Sequence, residues 1–448
     1  SPLILMTTHK LADGDTDMQT THWGGPGEDY RLRKISAAAI SDNNGIGAPA
    51  PDDAAPVWQP PKAIHSFPWL EMVLTVVGVL GLIGLTFYML SPAASGYFAL
   101  VKTTLLALIP LAIVVGFLIR IDRWEPEPWK TKLTMFLWGA GVATLSAGIL
   151  NTALHVNIAY TTGDAQSASA ISATFVAPLV EETLKAIGVL IVVVVRRTSI
   201  NSVLDGVVYA GFSAAGFMFT EDILYFLRGE AEGTASLIVL VVMRGVFSPF
   251  LHVMATSMTG IGLALALLKF KRGWSKAGIV VVFWTLAMLI HLLWNGSASF
   301  GGGWFIILYF VVQVPCFIVW SVLLLRATRK EADKIRKGLV PYVRTGWVLP
   351  GEVTMATDRR SRKAAMKWVA RGGRDAKKAM RSFLSDLASL GLDQHIMAKH
   401  GPDPARIDND RQMLADAAEN RREFLRLTSI AAQQDDVTKA VSSRSAVA

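Results

Sequence analysis

Pro178-Leu179-Val180-Glu181-Glu182-Thr183-Leu184-Lys185 sets two carboxylates and a lysine inside an otherwise apolar run, residues 171–195. A helix needs about 20 apolar residues to cross a bilayer, so this run is long enough. Each ionisable group near mid-membrane costs at least about 2.5–3.5 kcal/mol on insertion scales. Apolar packing returns nothing for that cost, so the group calls for a polar interior. The plainer alternative is a buried Glu–Lys pair that ties helices together. Such pairs seldom stabilise a fold better than apolar residues would. A carboxylate held there can instead activate water, and a second acid or a histidine can hand a proton to a leaving amine.

The other costly residues of the apolar runs are few. One run begins with Asp205 and carries Phe217-x-x-x-Glu221-Asp222. The next has Arg244 and His252, and the one after has His291-x-x-x-Asn295. Residues four apart share a helical face, so each pair can point into one cavity. Counted from the outer end of its span at 1.5 Å per residue, Glu181 is about 15 Å in, Glu221 about 10 Å and His291 about 6 Å. His252 sits just beyond the Ser248-Pro249 break. All fall in the outer half of the membrane, where one site could gather them. Neutral His and Asn can hydrogen-bond a developing oxyanion. Taken singly, each has an ordinary reading: Glu221-Asp222 as a helix end, His252 bonded to a carbonyl freed by Pro249, and His291 as an interfacial partner of Trp294.

These residues must be positioned by a membrane bundle. Of 448 residues, 52% are hydrophobic and only 18% charged, less charge than a soluble enzyme of this length carries. Apolar runs recur at 67–90, 97–121, 133–155, 171–195, 203–227, 235–270, 277–294 and 304–325. A polar loop is expected at Thr161–Ser169. Small residues at Gly206, Ala210 and Ala214 mark a face for close helix packing. Basic connectors at 120–132, 196–197, 269–276 and 326–337 alternate with connectors lacking a basic excess. This pattern predicts eight spans with both termini cytoplasmic, provided 235–270 crosses once, as a half-helix, a break at Ser248-Pro249 and a full helix.

The fold class expected is therefore all-α. A disordered cytoplasmic arm (1–65) precedes a transmembrane domain (66–326), and a helical, basic cytoplasmic tail (327–448) follows. The tail has helices expected near 362–371, 377–390 and 411–427. The net charge of +9 reflects this positive-inside pattern and the tail rather than nucleic-acid binding; the partners expected are membrane lipid and a protein substrate. One cysteine, Cys316, excludes a disulfide framework and a cysteine-based zinc site. The opening residues hold too short an apolar region for a signal peptide, and residues 1–5, before Met6, read as an upstream extension or a cloning remnant.

Glu181-Glu182-x-x-Lys185, Phe217-x-x-x-Glu221, His252 and His291-x-x-x-Asn295, in that order on successive spans, resemble the PrsW family of bacterial intramembrane proteases. That family lies within the wider superfamily of CAAX prenyl endopeptidases and bacteriocin-processing enzymes. Glu125-Pro126-Glu127-Pro128 resembles the family's connector, and the tail suggests a member of actinobacterial type. The resemblance covers about residues 65–326. It implies cleavage of a single-pass membrane protein, an anti-sigma factor, on its extracytoplasmic side. It also implies Glu181 as general base and His291 with Asn295 as an oxyanion pair. Glu221 stands where prenyl-peptidase relatives have a histidine.

Catalytic work is thus expected of Glu181, Glu182, Glu221, His252, His291 and Asn295, supported by Lys185, Phe217 and Arg244. The family's chemistry is assigned in two ways, as metal-dependent and as glutamate-activated water. Zinc would have Glu181, Glu221, His252 and His291 as candidate ligands. Metal-free hydrolysis is favoured, because no HExxH is present and the two histidines lie on different helices. Glu181 and Glu182 also point about 100° apart. The alternative function is a proton- or cation-coupled transporter, since intramembrane Glu, Lys and His also build ion relays. No internal inverted repeat accompanies them.

Overall fold

The structure, a computed structural model, describes residues 69–90, 96–300 and 302–445, and these contain helices and turns but no strand. Contacts divide the chain into two units: residues 66–328, and residues 329–448 grouped with 1–65. The arm expected over 1–65 lies outside the described residues.

The first unit holds helices α1 (Trp69–Met89), α2 (Gly96–Ile121), α3 (Trp129–Leu137), α4 (Thr144–Thr162), α5 (Ala165–Ile171), α6 (Ala177–Val195) and α7 (Val203–Glu232). It continues through α8 (Thr234–Val242), α9 (Leu251–Lys269), α10 (Gly273–Phe300) and α11 (Gly302–Leu308) into α12 (Val314–Gly338). π-helical stretches at Trp138–Ala143, Ser172–Val176, Met243–Phe247 and Tyr309–Gln313 interrupt these helices. Seven helical segments among the described residues are long and apolar enough to cross a membrane. The stretch 165–195 is also long enough, and it carries Glu181, Glu182 and Lys185 in its middle. The protein is an all-α, multi-pass membrane protein.

Helix α7 is the axis of the bundle. Most of its apolar stretch, 89%, is buried, as expected of a helix enclosed on all sides. It packs against α2, α3, α6 and α9. The small face anticipated at Gly206 is where α9 crosses: a Cβ on Gly206 would lie 2.2 Å from the Gly260 carbonyl oxygen, and one on Gly260 2.1 Å from that of Gly206. Backbones this close require glycine on both helices.

The break in the 235–270 run falls where Pro249 requires it. α8 ends in the Met243–Phe247 π stretch, residues 248–250 turn, and α9 starts at Leu251. The expected Thr161–Ser169 loop is much shorter. Gly163, at φ 66°, caps α4 by donating to the Ala159 carbonyl, and the Asp164 side chain accepts from the Gln166 and Ser167 amides at the start of α5. Gln166, Ser167 and Ser169 look like loop residues, yet two caps in succession leave only Gly163 and Asp164 outside the helices.

The acidic connector before α3 is a clasp. Glu127 accepts from the Tyr209 hydroxyl of α7, and Glu125 accepts from Asn201 Nδ2 at 2.6 Å. Lys132 pairs with Asp122 at 2.7 Å. Asp205 serves the fold, since its carboxylate accepts from the Asn201 and Ser202 amides and caps α7.

The second unit contains α13 (Val340–Arg344), α14 (Pro350–Thr357), α15 (Arg359–Val369), α16 (Gly373–His400) and α17 (Pro404–Ser445). Each expected tail helix overlaps one of the last three, which run longer. Breaks occur at Gly372-Gly373 and Gly401–Asp403. Phe383, Leu384, Leu387 and Tyr342 are buried there, and Arg421 pairs with Glu352 at 2.6 Å.

Candidate active site

The polar residues of α6, α7, α9 and α10 meet inside the first unit. Glu181, Glu182, Lys185, His252 and His291 are all buried. Glu182 and Lys185, one turn apart on α6, form an ion pair of 2.6 Å with both side chains fully buried. Lys185 Nζ also donates to His252 Nδ1 at 3.2 Å and lies 4.3 Å from the centre of the Phe217 ring. Phe217 therefore serves as a wall for the ammonium, a cation–π contact strengthened where water is excluded.

The two glutamates diverge as their positions on the helix require. Glu182 accepts from His291 Nδ1 at 2.9 Å and from Thr256 Oγ1 at 2.7 Å. Glu181 accepts from Asn151 Nδ2 at 3.3 Å through Oε1. Its Oε2 is buried without a hydrogen-bond partner and lies 3.8 Å from His291 Nε2. Because the carboxylate of Glu182 can only accept, His291 carries its proton on Nδ1, and Nε2 presents a lone pair toward Glu181.

Glu221 and Asp222 both hold Arg244, which sits in the Met243–Phe247 π stretch. The Arg244 guanidinium donates to Glu221 Oε2 at 2.6 Å, pairs with Asp222 and lies 4.4 Å from the Tyr225 ring centre. His252 Nε2 is 2.8 Å from the same Glu221 oxygen. Lysine has no lone pair to offer, so His252 Nδ1 accepts from Lys185 and Nε2–H donates to Glu221. The two imidazoles, on different helices, stand edge to face with ring centres 4.9 Å apart.

All the expected site residues except Asn295 thus join one network. The Asn295 side chain donates to the Ala173 carbonyl at 2.8 Å. That carbonyl belongs to the Ser172–Val176 π stretch, and Asn295 braces the stretch that leads into Glu181. Sequence reasoning missed Asn151 and Thr256. Asn151 could have been noticed as a polar amide inside the 133–155 run; Thr256 carries no sequence signal.

One donor atom each from Glu181, His252 and His291 lies within 4.8 Å of the others, which makes these three residues a possible metal-binding set. Two histidines and a carboxylate suit catalytic zinc. Glu181 and His291 fit: Oε2 has no partner, and Nε2 is oriented by the Nδ1–H bond to a carboxylate, the usual outer-shell support of a ligand histidine. His252 does not fit as arranged. Lys185 occupies Nδ1 and Glu221 occupies Nε2, so it has a lone pair to offer only if one of these bonds is surrendered.

Residues 127–320, which include every one of these side chains, match the family described as PrsW family intramembrane metalloprotease. These residues are similar to a PrsW-family domain. "Protease PrsW" of Clostridioides difficile (strain 630) is 29% identical over 223 residues, 49% of this chain and 87% of that protein. No solved structure matches the chain. The similarity supports an intramembrane protease, and the match begins at Glu127 of the connector clasp and ends at Trp320 of α12.

Proposed function

We propose that the PrsW domain hydrolyses a peptide bond of a single-pass, membrane-anchored protein near the extracytoplasmic face, with water activated by Glu181. The observation that carries this reading is the buried, unpartnered Glu181 Oε2 facing the His291 Nε2 lone pair at 3.8 Å. A water between two such acceptors can donate a hydrogen bond to each. Glu181 takes one proton, the water oxygen bonds to the scissile carbonyl carbon, the C–N bond breaks, and Glu181 returns the proton to the leaving amine. Glu182 fixes the His291 ring through Nδ1–H. Lys185 holds His252 through Nδ1, and Arg244 is linked to its Nε2–H through the shared Glu221 oxygen. No step is drawn through a metal, because both nitrogens of His252 are taken by Lys185 and Glu221.

The resemblance to PrsW proteases supports an anti-sigma factor as the substrate class. The charge alternation of the connectors supports both termini in the cytoplasm and the Gly163-Asp164 turn outside. With that orientation, the outer-half depth of Glu181 and His291 supports a cut toward the extracytoplasmic side.

A single-span reporter, coexpressed with the protease and carrying a tag on each side of the membrane, tests both points. The outer fragment should be released by the protease. Cysteines placed at Ser167 and Ser299, in a Cys316→Ser background, should label from outside the cell, while one at Ser443 should not. Release of an inner fragment alone, or outside labelling at Ser443, would contradict the proposal.

A further inference from the structure

The break that separates α8 from α9 opens a cavity of about 90 Å³, enclosed mainly by apolar side chains. Phe247, Phe250, Trp294, Tyr309, Val314 and Phe317 are half of the residues that line it. Both histidine-bearing helices contribute: Leu251 and Met254 of α9 flank His252 in sequence, and Trp294 is one turn after His291 on α10. These lining residues lie within about one helical turn, roughly 5 Å of rise, of His252 and His291 along their helices. Its aromatic wall is braced by its own contacts: Phe247 and Tyr309 have ring centres 5.0 Å apart, as do Phe250 and Phe317. Buried Gln313 and Ser248 also line it, and both are bonded elsewhere, Gln313 Nε2 to Ser297 Oγ at 2.8 Å and Ser248 Oγ to the Met243 carbonyl at 3.1 Å.

We infer that this cavity is the side-chain specificity pocket of the protease and takes one branched aliphatic residue flanking the scissile bond. The inference rests on the peptidase reading and deepens it. Size selects the class. An apolar cavity of roughly 150 Å³ accepts benzene, so a cavity of about 90 Å³ suits the few carbons of Val, Leu or Ile and not an aromatic ring. Position selects substrate over lipid. The pocket is lined by residues of the same two helices that carry His252 and His291 and forms at an interrupted helix, where a chain approaching the Glu181–His291 pair can seat the neighbouring side chain. One methylene more or less in such a pocket changes turnover by about 10–200-fold.

The test is a library of single-span fusion proteins with a randomised segment at the outer end of the span. It is coexpressed with the full-length protease, and released fragments are sequenced by mass spectrometry. Wild type should enrich Val, Leu or Ile by about tenfold or more at one position beside the cut. Val314→Trp, which fills the cavity, should move that preference to Gly or Ala. Phe317→Ala, which enlarges it, should admit Phe at the same position and decides the matter if the tryptophan variant fails to accumulate. An unchanged residue profile in the variants, as for a cavity holding only lipid, would overturn the pocket and leave the peptidase reading intact. Equal release by Glu181→Gln would overturn the peptidase reading itself.

Discussion

Glu181→Gln should lower cleavage of the single-span reporter by at least about 100-fold, the scale on which a general base contributes, while the protein accumulates at its normal level. Glutamine retains the shape and can still accept from Asn151 Nδ2, the present partner of Oε1. It loses the oxygen that has no partner in the folded protein, Oε2. Nothing in the fold depends on that oxygen, because the cation nearest in sequence, Lys185, is already paired with Glu182 at 2.6 Å. Fold and chemistry are therefore separable at this position. The check is reporter release per unit of membrane-inserted protease. Cleavage within a few-fold of wild type would remove Glu181 from the mechanism.

The opposite pattern is expected at Lys185, where fold and chemistry fail together. Lys185→Met keeps the length of the side chain and a sulfur contact with Phe217. It also leaves the Glu182 carboxylate, with no exposed surface, without its cation. Breaking one partner of a buried pair costs about 3–5 kcal/mol. Thr256 and His291 still donate to Glu182, so the lower end of that range applies. The variant should unfold at a clearly lower temperature in detergent and accumulate poorly. Glu182→Gln combined with Lys185→Met should recover much of the stability, because no unpaired charge then remains. It should not recover cleavage, because His291 loses the carboxylate that sets its tautomer. A wild-type unfolding temperature for the single variant would show that the pair does not hold this part of the bundle.

The apolar runs and the loop charges made most of the fold legible, and the failures have local causes. Residues 165–169 looked like loop because their serines and glutamine sit in a weakly apolar stretch; the Gly163 and Asp164 caps that make them helical act through backbone geometry. The divergence of Glu181 and Glu182 followed from their adjacency on a helix, and the structure places Glu182 with Lys185 accordingly. A shared depth for His252 and His291 was legible from their positions along the spans. The edge-to-face approach of their rings to 4.9 Å was not, because it depends on how α9 packs on α10, which no spacing along the chain records. Asn295 stands apart from the network. Its spacing from His291 puts both on one face, but its amide donates to the Ala173 carbonyl at 2.8 Å.

The metal content of active protein tests the account most directly. Purified protease reconstituted in lipid is stripped with a strong chelator, its divalent ions are counted by elemental analysis, and reporter cleavage is measured on the same sample. With His252 held by Lys185 and Glu221 and with water activated by Glu181, the account predicts that stripped protein, far below one ion per chain, cleaves at the rate of untreated protein. One tightly bound divalent ion per chain, activity lost with its removal and restored by its return, would contradict the account and assign Glu181, His252 and His291 as ligands.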